Sequence, residues 1–170
     1  TAGTNLTQNA HTTLTNSDTV TATTGYVDMD AVTGITNSTS VSAATGITMD
    51  ASTGYITNDN ASDTVTVTST KGDVAMTAST NILNNAVKAT ADDVNLKATN
   101  GIIENTKTVL AGTDVIENAG TTLTNDDTVT ATNGKVDQDA GGKLWNKKAV
   151  SAGTTVDMTS TGADIQNDST

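Results

Sequence analysis

The chain contains no cysteine, no proline and no phenylalanine, and among its 170 residues there are one tryptophan and two tyrosines. Without cysteine there is neither a disulfide framework nor a thiolate metal site. A roughly spherical core of this size is normally filled by aromatic and large branched side chains. The apolar residues here are mostly Val, Ile, Ala, Leu and Met, which suits a narrow interior. Arginine is also absent, and eight lysines against nineteen acidic residues leave a net charge of −11. That balance argues against nucleic acid, whose phosphates need basic patches, and against docking on anionic lipid. No apolar run approaches the roughly 20 residues of a membrane-spanning helix, and no signal peptide is visible, so membrane insertion is not expected.

What the chain has instead is a repeat. A branched aliphatic residue, any residue and then Asn recur as Leu14-Thr-Asn16, Ile35-Thr-Asn37, Ile56-Thr-Asn58, Ile82-Leu-Asn84, Ile103-Glu-Asn105, Leu123-Thr-Asn125, Leu144-Trp-Asn146 and Ile165-Gln-Asn167. Successive Asn residues lie 21, 21, 26, 21, 20, 21 and 21 positions apart. Two further strings keep the same period. One runs Val20-Thr-Ala22, Val41-Ser-Ala43, Val65-Thr-Val67, Val87-Lys-Ala89, Val129-Thr-Ala131 and Val150-Ser-Ala152. The other runs Val27-Asp-Met29, Ile47-Thr-Met49, Val74-Ala-Met76, Val94-Asn-Leu96 and Val156-Asp-Met158.

Each string alternates apolar and polar, the period of a strand with one buried face. Glycines at Gly25, Gly34, Gly46, Gly54, Gly72, Gly101 and Gly134 punctuate the strings, and are expected to supply positive φ at sharp corners. Three short strands cannot bury their own apolar face, but stacking one unit on the next aligns equivalent residues around a shared core. The expected fold is therefore all-β: a single right-handed parallel β-helix, or β-solenoid, over residues 1–170, with about eight coils of ~21 residues and three short strands per coil. At about 4.8 Å per coil, eight coils make a rod of about 38 Å. The chain starts in mid-pattern at Thr1 and reads as a processed segment of a longer chain. The long step of 26 is assigned to Asp59–Asp63, a corner bulging outward that reads as a tolerated surface insertion.

The column Asn16, Asn37, Asn58, Asn84, Asn105, Asn125, Asn146 and Asn167 is expected to form a structural ladder of side-chain amides. Carboxylates on outward positions, Asp28, Asp30 and Asp50 in one group and Asp137, Asp139 and Asp157 in another, are the calcium candidates. Neither the EF-hand loop nor the acidic nonapeptide is present, so the plain reading is a solvated acidic surface and no cofactor. Thr-x-Thr strings such as Thr19-Val-Thr21, Thr64-Val-Thr66 and Thr128-Val-Thr130 hint at an ice-binding plane, but Lys88 and Leu110 interrupt the rank. The Met29, Met49, Met76, Leu96 and Met158 column meets Glu117 and Gln138 at inward positions. A buried carboxylate is expensive, so a local slip of register turning Ile116 inward is expected there, with a small polar pocket around Glu117 and Gln138 as the alternative. His11 is the only histidine and has no nucleophile pattern around it, and no catalytic residues are assigned. Trp145 offers a ring on which a sugar could stack, but one aromatic is not a platform, and it is expected to cover a sheet face or a fibre contact. Sequons stand at Asn5, Asn37, Asn60 and Asn167.

Strings such as Val94-Asn-Leu-Lys-Ala-Thr-Asn-Gly-Ile-Ile-Glu-Asn105 and Val156-Asp-Met-Thr-Ser-Thr-Gly-Ala-Asp-Ile-Gln-Asn167 resemble the β-helical repeats of filamentous haemagglutinin-type, two-partner-secretion adhesins. The resemblance spans essentially the whole chain. It implies a secreted, extracellular bacterial surface fibre that spaces or displays binding regions and carries no catalytic residues. The partners implied are flanking β-helix coils or other copies of the chain, and a host or neighbouring-cell surface. The alternative is a subunit of a self-assembling extracellular filament joined end to end. A carbohydrate-binding module and an ice-binding solenoid are weaker readings.

Overall fold

The computed structural model describes residues 1–168; the last residues of the 1–170 domain, and Ser169 of the fourth sequon, lie outside the described residues. The chain winds through three parallel sheets, visiting each once per turn, and no helix occurs among the described residues. The first sheet starts with Leu6–Ala10 and adds a strand every coil up to Val156–Ser160. The second runs from Thr13–Asn16 to Ile165–Asn167, and the third from Val20–Ala22 to Val150–Ala152. These sheets hold eight, eight and seven strands. The eight coils are numbered here by their ladder asparagines, coil 1 holding Asn16 and coil 8 holding Asn167.

Register follows the repeat. Ile35 lies between Leu14 and Ile56, and Met29 pairs with Met49 and Met49 with Met76. Because side chains alternate between the faces of a strand, in-register stacking sends every second residue into one interior column. Val27, Ile35, Val41, Ile47, Ile56, Val74, Ile82, Val94, Ile103, Val115, Leu123 and Leu144 are sealed from solvent there. Each such side chain contributes roughly 1.5–3 kcal/mol by leaving water. Alanines close the strand ends: Ala31, Ala51, Ala78, Ala98, Ala119 and Ala140 line the corner after the first sheet.

Two expectations about corners are corrected. No glycine has a left-handed backbone. At corners such as Gly54 and Gly72 the stack leaves no room for a side chain, and a Cβ on Gly54 would sit 1.6 Å from the Thr33 carbonyl oxygen one coil below, whereas Gly46 has space for one. The corners themselves are bonded coil to coil, as in Thr53 N–H donating to the Val32 carbonyl at 2.8 Å. The second correction concerns the third sheet in coil 3. Val67, not Val65, pairs with Val41 and Val87. From Asn58 to Val67 is nine residues, against four from Asn37 to Val41, so five extra residues in one corner account for the whole step of 26. The inserted segment turns on Asn60, whose Oδ1 accepts the N–H groups of Ser62 and Thr64. Asp63 there has the one positive φ among described non-glycine residues, 51°.

Candidate functional site

The polar features divide into an interior seam and several surface groups. The seam begins with the asparagines at the end of each second-sheet strand, whose side chains turn inward. From coil 1 to coil 7, Nδ2 of each donates to Oδ1 of the next: Asn16 to Asn37 at 2.8 Å, Asn37 to Asn58 at 2.7 Å, Asn58 to Asn84 at 2.7 Å, Asn84 to Asn105 at 3.0 Å, Asn105 to Asn125 at 2.8 Å, and Asn125 to Asn146 at 3.0 Å. Asn167 stands in register above Asn146.

An amide has two N–H groups, and the ladder uses one. At each donor but Asn84 the second reaches across the interior to the first-sheet column, which reads Gln8, Met29, Met49, Met76, Leu96, Glu117, Gln138, Met158 from coil 1 to coil 8. Asn16, Asn37, Asn58 and Asn146 direct it at the sulfurs of Met29, Met49, Met76 and Met158, at 3.8, 3.7, 3.4 and 3.8 Å. These are weak acceptors. In coil 1, Gln8 and Asn16 exchange amide hydrogen bonds in both directions.

Coils 6 and 7 differ. Glu117 keeps the register, paired with Leu96 below and Gln138 above, and is 1% exposed. The expected slip does not occur, and Ile116 faces outward. The reason is the donor set. Glu117 Oε1 accepts from Asn105 Nδ2 at 2.8 Å, and Oε2 accepts from Asn125 Nδ2 at 2.9 Å and Gln138 Nε2 at 2.7 Å. Gln138 is in turn held by Asn146, whose Nδ2 donates to Gln138 Oε1 at 2.8 Å. Burial pushes the Glu117 carboxyl above the ordinary glutamate range, while the bonds from Asn125, Gln138 and Asn105 pull the other way.

On the surface, the calcium candidates fall into separate places. Asp30 and Asp50 are register neighbours, Asp28 lies beside Thr48, Asp137 beside Asp157, and Asp139 beside Thr159. Burial, and then the charge of Asp30, hold the carboxyls of Asp28 and Asp50 above the usual range. Asp137 is occupied by Lys135 at 2.8 Å. Among the described residues, the carboxylates that converge are others: Asp73, Asp92 and Asp93, with oxygens within 4.8 Å of one another. Two of them already serve the backbone. Asp73 accepts the N–H of Asp93 at 3.1 Å, Asp93 that of Asp114 at 2.9 Å, and Asp114 that of Lys135 at 2.8 Å. This acidic staircase caps one corner from coil to coil. Its spacing of 20 and 21 just before each first-sheet valine was the readable signal for it.

Trp145 lies on the outer face of the second sheet between Thr124 and Gln166. Its Nε1 donates to Asp168 at 2.8 Å, and the ammonium groups of Lys143 and Lys147 stand 4.0 and 4.6 Å from the ring centre. Lys147 also pairs with Asp126 at 2.6 Å. His11 is exposed and lines a shallow, open depression with Asn9, Asp30 and Asp50. The outer row of the third sheet is mixed, with Thr21, Ser42, Thr68, Lys88, Leu110, Thr130 and Ser151. Of the sequons, Asn37 is fully buried in the ladder, whereas Asn5 and Asn167 are exposed and Asn60 is half-buried within its turn.

No family model, curated protein or solved structure matches the chain.

Proposed function

We propose that this chain is a structural shaft of an extracellular bacterial surface fibre of the adhesin type, spacing or displaying binding regions without catalysing a reaction. The observation that supports this most is the continuity of the stack. The asparagine seam passes through seven coils without a missing rung, and the single insertion is confined to one surface corner. A molecule organised this way spends its sequence on resisting extension and unravelling, since each coil is bonded to its neighbours at strands and corners alike. The surface is acidic, which keeps a long rod soluble and apart from its neighbours. Antibody raised against the chain and applied to intact cells of the native source should decorate extended surface fibres. Labelling confined to the cell interior would overturn the reading.

A second reading is a filament subunit joined end to end, in which copies of the chain stack coil on coil by the same parallel pairing that joins coils within it. Electron microscopy of the purified chain separates the cases. Single rods of about 38 Å contradict the filament, and long fibres support it.

A further inference from the structure

We propose that Glu117 is a proton-sensitive joint in the stack, gripping coils 5 to 7 more firmly in acid and releasing them as the pH rises. This inference is independent of where the shaft is deployed, because it concerns one interior side chain. Three observations carry it. Glu117 is the one charged side chain among the fully buried described residues, with no water-facing edge. Secondly, nothing positive faces it. Its carboxyl is met by the amides of Asn105, Asn125 and Gln138, and the other inward residues of the strands around it, Leu96, Val115 and Leu123 among them, are aliphatic. The charged residues of those strands, Lys97, Glu104, Asp137 and Asp139, stand on the outward positions. An ionised carboxylate there is stabilised by amide dipoles alone, without a counter-ion.

Thirdly, the position is built into the seam. The three donors come from coils 5, 6 and 7, so any change at the carboxyl is felt by two rungs of the ladder and by the Gln138–Asn146 exchange. Burial favours the neutral acid, in agreement with the upward displacement of the carboxyl described above. The sign follows. A carboxyl that binds its proton more tightly in the folded state stabilises the fold fully below its unfolded value, near pH 4. That contribution is lost as the pH rises towards the folded value, because the folded state then holds a proton that the unfolded chain has released. Coils 2 to 4, which carry methionine in this column, have no such dependence in their interior.

The chain contains two glutamates, Glu104 and Glu117, so selective carboxyl ¹³C labelling gives two resonances, and Glu117→Gln identifies the buried one by its loss. The expected result is that the Glu117 resonance titrates at clearly higher pH in the folded protein than in the urea-unfolded chain. In parallel, the unfolding constant of the wild type should rise relative to that of Glu117→Gln, by up to about tenfold per pH unit over that window. A Glu117 resonance that titrates at the unfolded value or below it would overturn the proposal. So would a wild type and variant that keep a constant ratio of unfolding constants from pH 4 to 8. If the variant does not fold, the labelled wild type, with its resonances assigned through bonds, decides alone.

Discussion

Coils 2 to 4 and coils 6 to 7 share one backbone and one asparagine seam, yet fill the facing column in opposite ways. In the first group the seam's spare N–H groups meet the sulfurs of Met29, Met49 and Met76. In the second they meet the oxygens of Glu117 and Gln138. The same amide serves a polarisable thioether at 3.4–3.8 Å and a carboxylate at 2.8–2.9 Å with no break in register. The difference teaches that the ladder, rather than the residue opposite it, sets the geometry. The residue opposite sets only how much is lost when the ladder is cut.

That comparison can be broken in several ways. The largest effect is expected from Asn105→Ala, which removes two ladder bonds and one of three donors to a buried carboxylate. A loss of about 3–5 kcal/mol is expected from the groups left unpaired. Asn37→Ala, cutting the ladder opposite a sulfur, should lose about 2–3 kcal/mol. Equal denaturation midpoints for the two variants would mean that the carboxylate adds nothing. Next comes a double-mutant cycle with Glu117→Met and Gln138→Met. Either change alone strands the other's amide or carboxyl, whereas both together extend the methionine column. The double variant should be more stable than the sum of the singles by about 1–3 kcal/mol, and additivity would show the pair to be uncoupled. Met49→Leu should cost less than about 1.5 kcal/mol, since Leu96 already fills the same column in coil 5. Smallest of all, Lys147→Ala removes the half-exposed pair with Asp126 and should move the midpoint by less than about 1 kcal/mol. The emission of the sole tryptophan should change as the ammonium leaves its ring.

Much of this architecture is legible in the sequence, because a period of two nested in a period of about 21 is met by few folds. Leu14, Ile35 and Ile56 fall into one column on spacing alone. The failures are instructive because each involves a partner far away in sequence. Val65 and Val67 both fit the third-sheet pattern, and only pairing with Val41 and Val87 decides between them. The slip expected at Glu117 followed from the cost of an isolated buried carboxylate. Its three donors come from positions 12 residues before, 8 after and 21 after it, and they bond both carboxyl oxygens where the side chain stands. The glycines were readable as corners but not as crowding, since the atoms that exclude a Cβ at Gly54 belong to Thr33, one coil away. Spacing aside, Asp73 and Asp93 do not stand out in the sequence, because the backbone N–H groups their carboxylates accept, those of Asp93 and Asp114, lie one coil away.

The central claim is that residues about 21 apart lie directly above one another. Because the chain has no cysteine, paired cysteines test it cleanly at outward positions of the second sheet. Thr36→Cys with Thr57→Cys joins register neighbours in coils 2 and 3, at a separation that suits a disulfide. Thr36→Cys with Thr124→Cys spans coils 2 and 6. Under mild oxidation of the folded monomer, the first pair should close within the chain and the second should not. A second pair that closes as readily as the first, or a first pair that stays reduced, would contradict the stacked-coil account.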